Sequence, residues 1–242
     1  MRKLLLLFIA IVTALPAYAQ DDADTPVTLQ PVDHVVELFT SQSCSSCPPA
    51  DELLTDFVKA RNLLVVSHHV DYWNHLQWQD TFSSPAATAR QQAYAAQLGS
   101  KVFTPQMVVD GQDQFVGSHE DEALAALARP PLPNSLAMQL DGQALRLNFP
   151  VPANTTVWLV TYRRGTVSTD IKTGENAGRK LPTTNPMMSM NPLLATPVAG
   201  VFAVPEEMLQ AVAAPSTPPI GYAIIVQQGD AGIILAAAKL TR

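Results

Sequence analysis

Two cysteines, three positions apart, constrain the fold of this chain more than any other feature. They lie in the run Cys44-Ser45-Ser46-Cys47-Pro48. The apolar segment before them, residues 35–39, is typical of a buried strand, and residues 49–60 after them carry apolar side chains at helical spacing. The pair is therefore predicted between a strand and a helix start, and the pattern leaves open whether the helix begins at Cys44 or at Cys47.

Strand and helix signals alternate through the first half of the chain. After the first helix, the sequence predicts a strand at residues 63–66, a helix at 85–98 and a hairpin around Asp110-Gly111. One more helix ends at Pro130-Pro131. This order favours an α/β domain over residues 34–130, which contains both cysteines and all five histidines.

The second half of the chain has a different composition. Most of the 20 prolines lie at or beyond residue 130, and the segments between them alternate apolar and polar residues as strands do. We therefore predict a small all-β, sandwich-like domain over residues 134–242, with a long loop at residues 181–197. The whole chain is thus expected to be an α/β protein with an all-β accessory domain.

The first residues have the pattern of a secretory signal peptide. Arg2 and Lys3 precede an apolar run of about 12 residues, shorter than the ~20 that a membrane-spanning helix needs. Ala17-Tyr18-Ala19 then supplies a small-x-small cleavage site. We predict a signal peptide at residues 1–19, export to the periplasm and no membrane association after cleavage. The net charge of −6, without a basic run, argues against a nucleic-acid partner.

An oxidising compartment allows the two cysteines three uses. At a helix N-terminus, unpaired N–H groups and the macrodipole stabilise a thiolate, so Cys44 is the candidate nucleophile and Cys47 the resolving thiol. The protein would then be a thiol–disulfide oxidoreductase or a redox-linked binding protein. Its partners would be protein thiols or disulfides, and it would need no cofactor. A structural disulfide on a non-catalytic binding module is the second use, although so short a loop constrains the unfolded chain little. Metal binding is the third.

A polar and aromatic loop follows the second predicted strand. If that strand is parallel to the first, its carboxyl end lies beside the cysteines, where His69 or Asp71 could tune the pKa of a thiol. Tyr72, Trp73 and Trp78 could line a groove for an extended substrate. These aromatic side chains could equally cover the hydrophobic core, and the histidine could be an ordinary hydrogen-bonded residue.

The metal hypothesis is a periplasmic copper(I) chaperone. Its ligands would be the two thiolates of Cys44 and Cys47 together with His69, a set that suits copper(I) or zinc. Nearby soft thioether ligands could come from Met187, Met188 and Met190.

The motif order resembles that of thioredoxin. This chain contains, in the same order as thioredoxin, a predicted strand, a C-x-x-C at a helix start, a strand, a helix and a Thr-Pro before an antiparallel hairpin. The resemblance implies a thioredoxin-like domain in which Thr104 and Pro105, joined by a cis bond, offer backbone hydrogen bonds to a bound substrate.

Several longer segments resemble a family of exported bacterial proteins known as a domain of unknown function. The matching segments are residues 36–42, 69–73, 90–91 and 103–109, with a weaker extension at 174–179. The resemblance implies a thioredoxin-like fold with an added β domain, and it implies no activity.

Overall fold

The computed structural model describes residues 26–60, 62–196, 198–214 and 216–242. The predicted signal peptide at residues 1–19 lies outside them. The strands are β1 Thr28–Pro31, β2 His34–Thr40, β3 Leu63–His69, β4 Gln106–Val109, β5 Asp113–Val116, β6 Met138–Asp141, β7 Ala144–Leu147, β8 Thr155–Arg163, β9 Thr166–Asp170, β10 Lys180–Thr184, β11 Met187–Pro192, β12 Leu194–Ala195, β13 Val201–Ala203, β14 Ile220–Gln228 and β15 Ile234–Thr241. The α-helices are α1 Pro48–Phe57, α2 Pro85–Gln97, α3 Glu120–Leu127 and α4 Glu206–Ala213. None of the helices in these ranges is both long and apolar enough to span a membrane.

The strands of the described ranges form four sheets. One has the order β3-β2-β4-β5, a second β1-β15-β14-β8-β11, a third β12-β13-β7-β6, and the fourth is the hairpin β9–β10. Only the β2–β3 pair is parallel among the strand pairs of these sheets. Antiparallel pairing therefore dominates the molecule.

The prediction of an α/β protein with a thioredoxin-like domain is wrong. Strands make up 39% of the described residues and helices 20%, with four α-helices and several antiparallel sheets. The helical periodicity of the first half is real, but it yields only three helices there, whereas the strands after residue 134 outnumber them. The chain is therefore a mostly β protein.

The prediction of a long loop at residues 181–197 is also wrong. This segment contains most of β10 and all of β11 and β12. Prolines at positions 182, 186 and 192 lack the backbone N–H donor, and for that reason the sequence pattern of this segment does not predict a strand. Strand β11 tolerates Pro192 because it is an edge strand of the five-stranded sheet and the proline is its last residue.

The two predicted domains contact one another extensively. Strand β1, which precedes residue 34, pairs with β15, and the β9–β10 hairpin packs against α1. The chain at Asn185 also follows the outer edge of β3, where Ser67 N donates to Asn185 O at 3.2 Å and Asn185 Nδ2 donates to Val65 O at 2.8 Å. The domain boundary near residue 130 stays a prediction.

The sheet β3-β2-β4-β5 has a buried face on each side. Every residue of β2 and β3 is buried, because α1 covers one face and α2 with the five-stranded sheet covers the other. Alternation along a strand places Leu38 and Thr40 toward α1 and Glu37 and Phe39 toward α2. The carboxyl ends of β2 and β3 therefore bring polar side chains to both faces near the cysteines.

Candidate active site at the Cys44–Cys47 disulfide

The two cysteines form a disulfide between the end of β2 and the start of α1. Their Cα atoms are 5.4 Å apart. Helix α1 begins at Pro48 with Cys47 as its N-cap residue, so Cys44 lies in the preceding loop. Cys44 and Cys47 are 2% and 0% exposed, whereas Ser45 and Ser46 between them are exposed. The two serines are thus the exposed residues next to the disulfide, on the side open to a partner molecule.

Thr104 lies directly against Cys44. The Thr104–Pro105 peptide bond is cis, and Thr104 O lies 3.8 Å from Cys44 Sγ and 3.5 Å from Ser46 Oγ. Trp73 Nε1 donates a hydrogen bond of 2.8 Å to Thr104 Oγ1. The structure thus places Thr104 against Cys44 and Ser46, with Trp73 bonded to Thr104 and the buried Pro105 next in the chain.

His69 is bonded to a carboxylate that the sequence did not single out. Its Nδ1 lies 2.7 Å from Asp80 Oδ2, and both side chains are buried. Burial alone would lower the pKa of His69, but the charge and hydrogen bond of Asp80 outweigh it, so that pKa lies above its usual value. Conversely, burial raises the pKa of Asp80 and His69 lowers it, with a net fall. The two form a buried ion pair.

Asp80 also holds the loop that carries Cys44. The same Oδ2 atom accepts a hydrogen bond from Gln42 N at 2.7 Å, and Oδ1 accepts one from Phe82 N at 2.9 Å. The predicted tuner Asp71 lies elsewhere, with its carboxylate accepting a hydrogen bond from Thr88 Oγ1 on α2. His69 is therefore linked to the cysteine loop through Asp80.

A second buried carboxyl, Asp51, lies on the first turn of α1. It is four residues after Cys47, whose backbone is helical (φ −77°, ψ −34°), so the two side chains share one face of the helix. Thr40 Oγ1 donates a 3.1 Å hydrogen bond to Asp51 Oδ2. Burial raises the pKa of Asp51 to about 7, against the opposing effects of His69 and Thr40. This carboxyl can take up or release a proton near neutral pH.

The remaining aromatic residues surround the loop. Trp78 Nε1 donates to Gln42 Oε1 at 3.0 Å, and Tyr72 OH donates to Gln91 Oε1 at 3.1 Å. Both rings are partly exposed. The disulfide thus has an aromatic rim next to the exposed, polar Ser45 and Ser46.

The connection between β9 and β10, residues 171–179, closes the other side of the loop. Asn176, which is 1% exposed, donates from its Nδ2 to Gln42 O at 3.0 Å and to Cys44 O at 2.9 Å. Thr173 Oγ1 donates to Gln77 O at 2.6 Å, which ties the same connection to the aromatic loop. The cysteine loop is thus held by residues far away in sequence.

The copper ligand set is not assembled as a cluster. Within the described ranges, no group of three or more His, Cys, Asp or Glu side chains is placed to hold a metal ion. Met187 is packed in the core beside Val160 and Tyr162, whereas Met188 is 57% exposed on the same strand. The metal hypothesis stays a prediction.

Three residues of the site were missed from sequence. Asp51 had a usable signal, because an acidic residue four positions after the second cysteine of a helix-start pair must lie beneath it. Asp80 and Asn176 had no local signal, since each reaches the cysteine loop from a distant part of the chain. Only the weak family resemblance at residues 174–179 pointed to the region of Asn176.

The comparisons with known proteins add a family and a fold. A family model described as a protein of unknown function, DUF1223, matches residues 35–227. The chain belongs to the DUF1223 family. None of the curated proteins matches it.

Two solved structures resemble this DUF1223 protein. A crystal structure of an Agrobacterium tumefaciens protein is 28% identical, with a TM-score of 0.65 over 88% of this chain and 95% of that one. HBP35 of Porphyromonas gingivalis is 12% identical, with a TM-score of 0.54 over 87% of this chain and 75% of that one. The second likeness concerns the fold alone.

Proposed function

We propose that this DUF1223 protein is an exported thiol–disulfide oxidoreductase of the periplasm. The observation that carries the proposal is the Cys44–Cys47 disulfide at the start of α1, with one sulfur beside Thr104 O and a titratable buried carboxyl behind the other cysteine. Its substrates are cysteine-containing polypeptides. Export follows from the signal-peptide pattern at residues 1–19.

The exposed side of the disulfide determines which sulfur reacts with a partner. In the reduced protein, the Cys44 thiolate attacks one sulfur of a substrate disulfide, and the other substrate sulfur leaves as a thiolate. A mixed disulfide between Cys44 and the substrate results. Cys47 then attacks Cys44 Sγ, the protein disulfide forms, and the second substrate sulfur leaves. The substrate gains two electrons and the protein loses them.

Asp51 supplies the proton balance of the second step. Cys47 is fully buried and must lose its proton before it attacks. An ionised Asp51 carboxylate on the same helix face accepts that proton and becomes neutral, which its raised pKa of about 7 favours. In the reverse direction the protonated carboxyl returns the proton to the Cys47 thiolate as it leaves.

Thr104 and the aromatic rim bind the substrate. The backbone of Thr104 faces the approach to Cys44, and Trp73 fixes its hydroxyl. The partly exposed rings of Tyr72, Trp73 and Trp78 offer apolar surface to an extended chain on either side of its cysteine. The proposal therefore favours unfolded or extended polypeptides over small thiols.

Trapping a mixed disulfide tests the proposal with two matched variants. The Cys47→Ser protein is expected to accumulate a mixed disulfide with a cysteine-containing peptide through Cys44. The Cys44→Ser protein is expected to form little, because Cys47 is the N-cap residue of α1, whereas the sulfur of Cys44 lies beside the exposed Ser46. The wild-type reduction potential should lie between about −120 and −270 mV. Equal trapping by both variants would contradict Cys44 as the attacking thiol, and no trapping together with a potential below roughly −300 mV would indicate a structural disulfide instead.

A further inference from the structure

Asn176 touches the cysteine loop at the point where its conformation matters most. The two hydrogens of its amide NH₂ bind the carbonyl oxygens of Gln42 and Cys44, on either side of Ser43. Cys44 O also accepts a hydrogen bond from Cys47 N at 3.3 Å, so one carbonyl joins Asn176, Cys44 and the helix start. The amide is itself oriented, because its Oδ1 accepts a 3.0 Å hydrogen bond from Arg179 Nη1.

The fixed carbonyl has a consequence for the sulfur atoms. A peptide unit is planar and trans, so fixing Cys44 O also fixes the N–H group of Ser45 on the opposite side. The backbone of the loop then holds Cys44 in the position from which its sulfur reaches Cys47. Loss of the Asn176 hydrogen bonds would let the loop sample conformations in which the two sulfurs are apart.

We infer that Asn176 is a positioning residue that stabilises the disulfide state of the Cys44–Cys47 pair from the β9–β10 connection. The inference rests on the proposed function only for its biological meaning, since the reduction potential is a property of the disulfide itself. A residue in the mostly β second half of the chain thereby adjusts the reactivity of cysteines in the first half.

The experiment compares Asn176→Ala with Asn185→Ala. Asn185 is the matched control because it is a buried asparagine whose side chain makes two hydrogen bonds, to Val65 O and from Gly165 N, and neither involves the cysteine loop. Reduction potentials are measured by equilibration of each protein in glutathione buffers of known ratio. Thermal unfolding of the oxidised proteins reports stability in parallel.

Asn176→Ala is expected to lower the equilibrium constant for disulfide formation about tenfold, which makes the potential roughly 30 mV more oxidising. Asn185→Ala is expected to lower the melting temperature without moving the potential. If Asn176→Ala fails to fold, Arg179→Gln provides a milder variant, since it removes only the bond that orients the amide; about a twofold change in the same direction is expected.

Two results would overturn the inference: an unchanged potential in folded Asn176→Ala and Arg179→Gln proteins, or an equal shift in Asn185→Ala. Failure of the proposed function looks different. A protein that shows the Asn176-dependent shift but forms no mixed disulfide with peptides would reject the exchange activity and leave the positioning role intact.

Discussion

The two faces of the sheet β3-β2-β4-β5 each bury an acidic side chain, and the two acids differ in charge state. Glu37 faces α2 and Asp51 lies on α1 against the opposite face, with exposures of 1% and 4%. Burial raises the pKa of both. On the α2 face the neighbours of Glu37 reverse this effect, whereas on the α1 face the neighbours of Asp51 do not. Two carboxyls of similar burial therefore have pKa values that are shifted in opposite directions.

The difference comes from the partner of each carboxyl. Arg90 donates to Glu37 through Nε at 2.5 Å and Nη2 at 2.8 Å, and His68 Nε2 lies 2.8 Å from the same carboxylate. These contacts hold the pKa of Glu37 well below its usual range. Asp51 receives one hydrogen bond, from Thr40, while the charge of His69 is shared with Asp80. Glu37 is therefore a permanent structural ion, and Asp51 can change its protonation near pH 7.

The Glu37 cluster also joins two sheets. Arg90 Nη2 donates to Gln227 Oε1 on β14 at 3.3 Å, and Gln227 Nε2 donates to Tyr94 OH at 3.0 Å. This buried cluster of charged and hydrogen-bonded side chains links the five-stranded sheet to α2. The α2 face thus holds its carboxyl permanently charged within a cluster that links two sheets, whereas the α1 face holds a carboxyl that titrates near pH 7.

The largest expected effect on stability comes from disrupting the Glu37 cluster on the α2 face. Arg90→Met removes the cation and leaves the Glu37 carboxylate buried without its main partner, so we expect the free energy of unfolding at pH 7 to fall by about 4 kcal/mol. Urea denaturation measures the loss. The double variant Glu37→Gln with Arg90→Met should recover part of it, because no buried charge remains. A loss below about 1 kcal/mol in the single variant would contradict a structural role for the ion pair.

The ion pair on the α1 face is expected to show a smaller and pH-dependent effect. Asp80→Asn removes the counter-ion of His69, and we expect a loss of about 3 kcal/mol near pH 5.5. Because the folded pKa of His69 lies above its usual 6.5, the stability from this pair is fully present below pH 6.5 and is lost as pH rises through the folded pKa. The gap between the wild type and the variant should therefore narrow as pH rises through the folded pKa of His69.

Unfolding at several pH values measures this gap. Asp71→Asn is the control, since its carboxylate binds Thr88 and contacts no histidine among the described residues. A gap for Asp80→Asn that is absent at pH 5.5, or that grows as pH rises, would argue against a charged His69.

Replacement of Asp51 should have the opposite effect on the free energy of unfolding, because the ionised carboxyl destabilises the folded protein. Its pKa is about 7 in the folded protein and 3.8 ordinarily, so the unfolded chain ionises first, and the wild type loses stability as pH rises from about 4 to 7. Asp51→Asn removes this loss, partly offset by the burial of an amide. We expect the variant to be roughly 2 kcal/mol more stable than the wild type at pH 8.5 and near equal at pH 4.

The same variant should slow exchange, because an amide cannot accept the Cys47 proton. Asp56→Asn, an exposed change on the same helix, is the control and should alter stability by less than about 0.5 kcal/mol. The raised pKa of Asp51 would be refuted if the free energy of unfolding of the wild type, relative to that of Asp51→Asn, increased with pH.

Sequence reasoning located the cysteine pair, its helix and His69, because each depends on residues close together in the chain. The helices predicted at residues 49–60 and 85–98 correspond to α1 and α2, and the hairpin at Asp110-Gly111 joins β4 to β5. Local periodicity and turn chemistry determine such elements.

The long-range parts were not predictable in this way. Asn176 reaches Cys44 across 132 positions, and Gln227 reaches Tyr94 across 133. The local sequence around Asn176 looks like that of a solvated loop, and the local sequence around Gln227 looks like that of an ordinary strand. The prediction of an α/β fold class was wrong for a related reason. Prolines argue against strands in the local sequence, whereas tertiary pairing stabilises those strands in the folded protein.

The smallest expected effect tests the hydrogen bond from Thr40, the one that the Asp51 carboxylate receives within the described part of the chain. Thr40 Oγ1 donates to the carboxylate and favours its charged form, so Thr40→Val, which preserves the shape of the side chain, should raise the pKa of Asp51 above 7. Stability should fall by about 1 kcal/mol at pH 8.5, where the carboxyl is charged, and by less at pH 5. A carbon-13 NMR titration of the Asp51 carboxyl measures the shift directly. If the pKa instead stays the same or falls, Thr40 does not stabilise the anion, and the difference between the two faces depends on the cations alone.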